Sequence, residues 1–207
     1  MTAVARLLLC HGAGAGCDSA FMQQLAAALQ QQQIEVVLFE FAYMQRKREL
    51  GKPVPPPKVA SLLPELAAAI KALGDDLPLF IGGKSMGGRV ASLLAALPES
   101  LEERVGAVFA YGYPFHPPRK VQWRTGHFSE LSRPLIIMQG ERDPFGNYAE
   151  LSALMSAWPE VTLHWLKTAD HDFQPLKSSG LSQRQLIAQA AEFTRGSIDA
   201  ILAKVKY

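Results

Sequence analysis

Short apolar runs alternate with amphipathic stretches along the chain. Val4–Cys10, Ile34–Phe41, Leu77–Ile81, Val105–Ala110, Leu135–Met138 and Val161–Leu166 read as strands. Several are apolar at consecutive positions, as parallel strands covered on both faces should be. Between them, Phe21, Leu25, Ala28 and Leu29 share one helical face. Val59, Leu62, Leu63, Leu66, Ile70 and Leu73 recur at helical spacing, with Pro64 near the first turn. Further helices are predicted after Ser85, over Asn147–Trp158 and from Gln183 to Lys204, the last weakened by Gly196. Strand–helix alternation through all 207 residues predicts one α/β domain, 1–207. Its sheet is mostly parallel, of about six strands, with helices on both faces.

Two segments break the rhythm. Residues 43–58 carry Pro53, Pro55, Pro56 and Pro57. Residues 112–133 carry Pro114, Pro117 and Pro118, with Arg119, Lys120 and Arg124. Both follow strands, so both are expected at the carboxyl edge of the sheet, where open α/β folds bind ligands. The plain alternative is that their charges form a solvated surface.

Composition narrows the classes. The chain is 48% hydrophobic, too apolar for disorder, and its net charge is +2, which excludes a strongly basic nucleic-acid binder. That charge is uneven. Arg46, Lys47, Arg48, Lys52 and Lys58 stand against Glu49 alone, a local +4 that leaves −2 elsewhere. Two cysteines, Cys10 and Cys17, are too few for a disulfide framework, and nothing has zinc-site spacing. The Leu7–Cys10 run is shorter than a secretory apolar core, and no stretch approaches a membrane span. A soluble cytoplasmic protein is expected, with no cofactor and no metal.

The strongest chemical signal is Gly83-Lys84-Ser85-Met86-Gly87-Gly88, between a predicted strand and a predicted helix. That is the context of a GxSxG nucleophile elbow. The glycines leave room around a sharp turn, and the helix N-terminus aims free N–H groups at a reacting oxygen. Gly83-Lys84-Ser85 also looks like the end of a phosphate-binding loop. That motif needs a glycine five residues before Gly83, where Pro78 stands.

His11-Gly12-Ala13-Gly14-Ala15-Gly16 follows the first strand. One reading is an oxyanion loop, with the N–H groups of Ala13 and Met86 as the donors. The other is a dinucleotide fingerprint. Gly14 to Ser19 is one residue short of GxGxxG, and Glu40 is placed to hold a ribose, which would make the protein an oxidoreductase.

A nucleophilic serine needs a base, and the base an orienting acid. Asp143 follows the Leu135–Met138 strand and His171 follows the Val161–Leu166 strand. Ser85, Asp143 and His171 then converge because parallel strands end on one edge. Glu141 is the alternative acid. Asp170 and Asp172 flank His171 as solvated loop residues. His11, Tyr43, Arg46, Tyr113 and His116 are the candidates for substrate contacts, while His127 reads as surface and His164 as structural. Cys10 and Cys17 have no base placed to activate them.

With these motifs in hand, the chain resembles the α/β-hydrolase superfamily. It is most similar to the small dienelactone-hydrolase-like group and the family of testis-expressed protein 30 and its bacterial relatives. The residues that carry the likeness are Gly82 to Arg89, Gly112-Tyr113-Pro114-Phe115-His116-Pro117-Pro118, Gln139 to Gly146, and Asp170-His171. The resemblance implies a three-layer α/β-hydrolase fold with minimal or no lid. It also implies a hydrolase but is silent on substrate; with the Ser85, Asp143 and His171 order, acyl hydrolysis of a small ester or thioester is expected, by a monomer or homodimer. Two departures stand out: the leading antiparallel strands of larger relatives are missing, and dienelactone hydrolase itself uses a cysteine nucleophile. Lactone chemistry is therefore not carried over. An anionic substrate is suggested by the basic segments. A hydrolase-fold binding protein without turnover is the alternative from another class.

Overall fold

Ala-Arg-Leu-Leu-Leu-Cys forms β1 (Ala5–Cys10), a strand buried at every position. In the computed structural model, which describes residues 2–52, 54–97, 99, 101, 103–120 and 122–205, β1 is one of six parallel strands. The others are β2 (Ile34–Phe39), β3 (Leu79–Lys84), β4 (Val105–Tyr111), β5 (Leu135–Gly140) and β6 (Val161–Leu166). Their order is β2-β1-β3-β4-β5-β6. The direction of winding therefore reverses between β1 and β3, which opens a crevice at their carboxyl ends.

Side chains alternate across these strands and build a core on each face. Leu8, Cys10, Ile81, Val108 and Ile137 pack with α3 (Leu63–Ala72) and α4 (Met86–Ala95). Leu7, Leu9, Phe80, Phe109 and Met138 pack with α1 (Ala20–Gln31) and α6 (Gln183–Val205). Both faces are covered, which explains why the strands are apolar at consecutive positions on both sides.

Three predicted elements come out differently. Residues 43–58 are not all loop, because α2 (Ala42–Leu50) carries Arg46, Lys47 and Arg48. Its buried Tyr43 and Met44 pin it to the core, and Gly51 ends it in a left-handed cap. Pro53 of that segment lies outside the described residues. The 59–73 helix starts late: Val59–Leu62 is a 3₁₀ turn, and Pro64 sits in the first turn of α3, where a missing N–H costs nothing. The expected helix over Asn147–Trp158 shrinks to α5 (Tyr148–Leu151) and a 3₁₀ turn, Met155–Ala157. Only Leu151 of that stretch is buried, too little to hold a long helix. In contrast, α6 runs straight through Gly196, since buried Thr194 and Ile198 hold it on either side.

The second irregular segment packs its aromatic residues and leaves Arg119 and Lys120 exposed. Tyr113, Phe115 and Phe128 are buried and form an aromatic cluster with Trp158. Among the described residues no lid stands over the carboxyl edge, and no helix is long and apolar enough to cross a membrane.

Candidate active site

The crevice between β1 and β3 holds Ser85, the residue after β3 and before α4. Its backbone is strained, with φ 49° and ψ −111°, and its N–H donates to the Tyr111 carbonyl at 3.1 Å. The turn is tight because its neighbours have no side chains. A Cβ on Gly83 would lie 2.6 Å from the Cys10 carbonyl oxygen, and one on Gly87 would lie 2.7 Å from those of Cys10 and His11.

His171 reaches Ser85 from the loop after β6. Its Nε2 lies 2.9 Å from Ser85 Oγ, and its Nδ1 lies 2.7 Å from Asp143 Oδ2. Asp143, from the turn after β5, is fully buried. Its Oδ1 accepts the Phe145 N–H at 2.8 Å, and Oδ2 also accepts from Gln139 Nε2 at 2.9 Å. The Phe145 ring packs against the imidazole at 4.4 Å between centroids. With Asp143 ionised, Nδ1 carries the proton and Nε2 is left to accept one from Ser85.

Ser85, His171 and Phe145 border an open cleft of about 630 Å³. Gly12, Ala13, Gly14 and Ala15 line one side, with Phe21, Phe145, Lys84, Asp172, Gln174 and Gln183 around the rest. Ala13 is therefore at the cleft wall. Met86 opens α4, so its N–H has no carbonyl partner within the helix.

The other acids are occupied elsewhere. Glu141 accepts the Thr168 N–H at 2.7 Å, and Asp170 caps its own turn through the N–H groups of Asp172 and Gln174. Asp172 is not simply solvated, since it pairs with Lys84 at 3.2 Å.

None of the five residues proposed to contact substrate lines this cleft. His11 is buried behind the 12–16 loop, accepts the Phe41 N–H at 3.1 Å and contacts Gly12. Burial lowers its pKa below the usual histidine value. Tyr43 donates to the Ala13 carbonyl at 3.0 Å and so supports the loop from below. Tyr113 is buried and donates to the Arg124 carbonyl. His116 faces Glu150 at 3.3 Å and Trp123. Arg46 is exposed on α2. Two residues of the basic cluster are engaged with the protein itself: Lys47 donates to the Gly14 carbonyl at 2.9 Å, and Arg48 pairs with Glu40. A second cavity of about 330 Å³, lined by Asp18, Met44, Lys47 and Arg48, shares Gly14, Ala15 and Ser19 with the cleft.

The dinucleotide reading fits this geometry poorly. α1 starts only at Ala20, past the glycines, and Glu40 is held by Arg48. Neither cysteine is poised for chemistry. Burial pushes the Cys10 thiol far up and Cys17 to about 11. His127 contacts Ser92 Oγ at 2.9 Å, and His164 stacks on Phe193.

Two side chains of the site escaped the sequence reading, Gln139 and Lys84. The available signal was a polar residue ending each of two otherwise apolar strands, LIIMQG and LFIGGK.

A family model described as an alpha/beta hydrolase domain matches residues 3–199. No curated protein matches the chain. Among solved structures, a dienelactone hydrolase from Anabaena variabilis is 22% identical at a TM-score of 0.68, covering 92% of this chain and 85% of that one. Est1E from Butyrivibrio proteoclasticus is 12% identical at a TM-score of 0.68, covering 96% and 90%. The esterase domain of a Rhodothermus marinus protein is 16% identical at 0.61, covering 94% and 88%. At such identities the likeness is one of fold. The narrower likeness to the family of testis-expressed protein 30 rests on the motifs alone.

Proposed function

The chain belongs to the alpha/beta hydrolase domain family, and from that premise we propose that it is a serine hydrolase cleaving ester-type bonds of small molecules. The observation that carries this is one unbroken hydrogen-bonded line, from Ser85 Oγ through the His171 ring to Asp143.

In this mechanism Ser85 Oγ attacks the acyl carbon while His171 Nε2 takes its proton. Asp143 stabilises the imidazolium and keeps the ring in the productive tautomer. The carbonyl electrons move to oxygen, and that oxyanion is met by the N–H groups of Met86 and Ala13. Losing one such donor typically costs ~10²–10³ in rate. The tetrahedral adduct collapses, and His171 gives its proton to the leaving alcohol or thiol. Water then attacks the acyl-serine with His171 again as base, releasing the acid and restoring Ser85. Esterases among the structural neighbours, such as the Rhodothermus marinus domain, support an ester over other acyl bonds, and a thioester fits the same steps.

An anionic substrate is not required by this reading. Lys47 and Arg48 brace the loop and Glu40, and the cleft beside Ser85 pairs Lys84 with Asp172.

The test is a fluorophosphonate probe with an ester and thioester panel, run on wild type and Ser85→Ala. Labelling and turnover are expected in wild type, with both lost in Ser85→Ala by at least ~10³-fold. Equal labelling of the variant sinks the nucleophile assignment. Saturable binding without turnover would instead favour the binding-protein reading.

A further inference from the structure

Lys84 sits between the strand and the nucleophile, and the mechanism above does not use it. It closes LFIGGK, where every residue is buried, and is itself only 5% exposed. Alternation along β3 puts it on the face of Phe80, toward α1 and α6. A buried ammonium is costly unless its donors are satisfied. Here Nζ donates to the backbone carbonyl of His171 at 2.8 Å, meets Asp172 Oδ1 at 3.2 Å, and lies 5.2 Å over the Phe21 ring. Burial lowers its pKa, and Asp172 acts in the opposite direction.

The space for this contact is left by a third residue. Gly112 has φ +69°. A Cβ there would lie 2.9 Å from the His171 carbonyl oxygen, and 3.2 Å from both His171 Nδ1 and Lys84 Nζ. Backbone conformation and missing side chain together clear the point where Lys84 and His171 meet.

We propose that Lys84 is the positioning residue that sets the distance between nucleophile and base. This rests on the serine-hydrolase reading. Asp143 holds the imidazole of His171, and Lys84 holds its main chain. Because Lys84 and Ser85 are consecutive, the carbonyl of the base is tied to the nucleophile through one peptide unit. Lys84 touches no reacting atom. It acts by keeping Nε2 within reach of Oγ, where a misplacement of about 1 Å can cost ~10²-fold in rate.

The experiment measures kcat and KM per active site, with sites counted by fluorophosphonate titration. Lys84→Met keeps the apolar stem and removes the charge and donors. Its kcat is expected to fall by ~10–100-fold with KM within about twofold, and Ser85 labelling should slow by the same factor. Lys84→Gln keeps an N–H donor and should recover at least about threefold over Lys84→Met. A kcat per titrated site within about twofold of wild type in Lys84→Met overturns the inference, as does no recovery in Lys84→Gln. A merely structural lysine would lower the count of sites or the melting temperature and leave kcat per site unchanged. Should both variants fail to fold, Gly112→Ala decides. Its Cβ would lie 2.9 Å from the His171 carbonyl oxygen and 3.2 Å from Lys84 Nζ, so kcat per titrated site should fall at least about tenfold, and a value within about twofold of wild type overturns the inference. Failure of the hydrolase reading looks different, since Ser85→Ala would then keep wild-type turnover.

Discussion

Gln139 donates to Asp143 Oδ2 at 2.9 Å, on the same oxygen that receives His171 Nδ1 at 2.7 Å. The amide does more than touch the carboxylate. Its Oε1 accepts the Tyr113 N–H at 2.7 Å, and its Nε2 also meets the Gly146 carbonyl at 3.0 Å. Gln139 therefore ties three segments around one buried acid: the end of β5, the turn that carries Asp143, and the segment after β4. The aim of the carboxylate at the histidine is held from behind by a neutral group that leaves its charge intact.

Gln139→Leu tests this bracing. It strands the Tyr113 N–H, the Gly146 carbonyl and one side of Asp143 in a dry environment. Each unsatisfied group costs roughly 1–3 kcal/mol, so a total loss of at least about 3 kcal/mol is expected in urea unfolding. Turnover should fall as well, through kcat. A stable variant with normal kcat would show that the carboxylate keeps its aim without the amide.

Gly83→Ala is expected to be far more damaging than an ordinary strand substitution. The added methyl would press on the carbonyl oxygen of Cys10 at 2.6 Å and on the backbone of Gly87 at 2.7 Å, neither of which can move without opening the elbow. Loss of probe labelling with a markedly lower melting temperature is the expected result. Wild-type labelling kinetics would contradict the packing described for the turn.

Acid should weaken the fold through histidines whose pKa is lowered by partial or full burial. His127 is held near 4, first by burial and second by repulsion from Arg89. Its folded pKa lies below the ordinary 6.5, so the unfolded chain takes up the proton first as pH falls. The stabilisation is full above about 6.5 and is lost as pH drops through about 4. His11 and His164, also lowered by burial, act with the same sign. Urea midpoints measured from pH 7 to 4 should decline, and His127→Gln should flatten that decline. An unchanged slope in the variant would place the acid sensitivity elsewhere.

Thiol reagents should leave activity untouched. Cys10 is fully buried, and Cys17 donates its Sγ–H to the Phe39 carbonyl at 3.3 Å with its pKa raised to about 11. At pH 7.5 less than about 0.1% of such a thiol is thiolate. Iodoacetamide at that pH is expected to leave ester turnover unchanged over an hour. Inactivation in step with alkylation would point to a cysteine in the chemistry.

Periodicity along the chain was enough for the layers and for the chain order of the three central residues. β6 was read at its observed limits, and β1 and β2 within two residues, because strands packed under helices are mostly apolar runs bounded by turn residues. Ser85, Asp143 and His171 were legible for a related reason: each follows a strand, and parallel strands deliver their loops to one edge. Nothing local marked α2, whose basic surface hides the two residues that anchor it, Tyr43 and Met44. The five residues proposed to contact substrate failed to reach the cleft on similar grounds. Their polarity was visible, but His11, Tyr43 and Tyr113 spend it on the backbone of neighbouring loops.

By itself, then, the sequence determined the apolar runs that pack into the two layers and which candidate site residues follow them. Those are consequences of spacing within one element. Only the tertiary structure decided who holds whom: Lys84 on the carbonyl of His171, 87 positions away, Gln139 behind Asp143, and Gly112 clearing the place where lysine and histidine meet. A hydrogen bond between distant segments leaves no period in the chain, because its partners are set by the packing of whole elements.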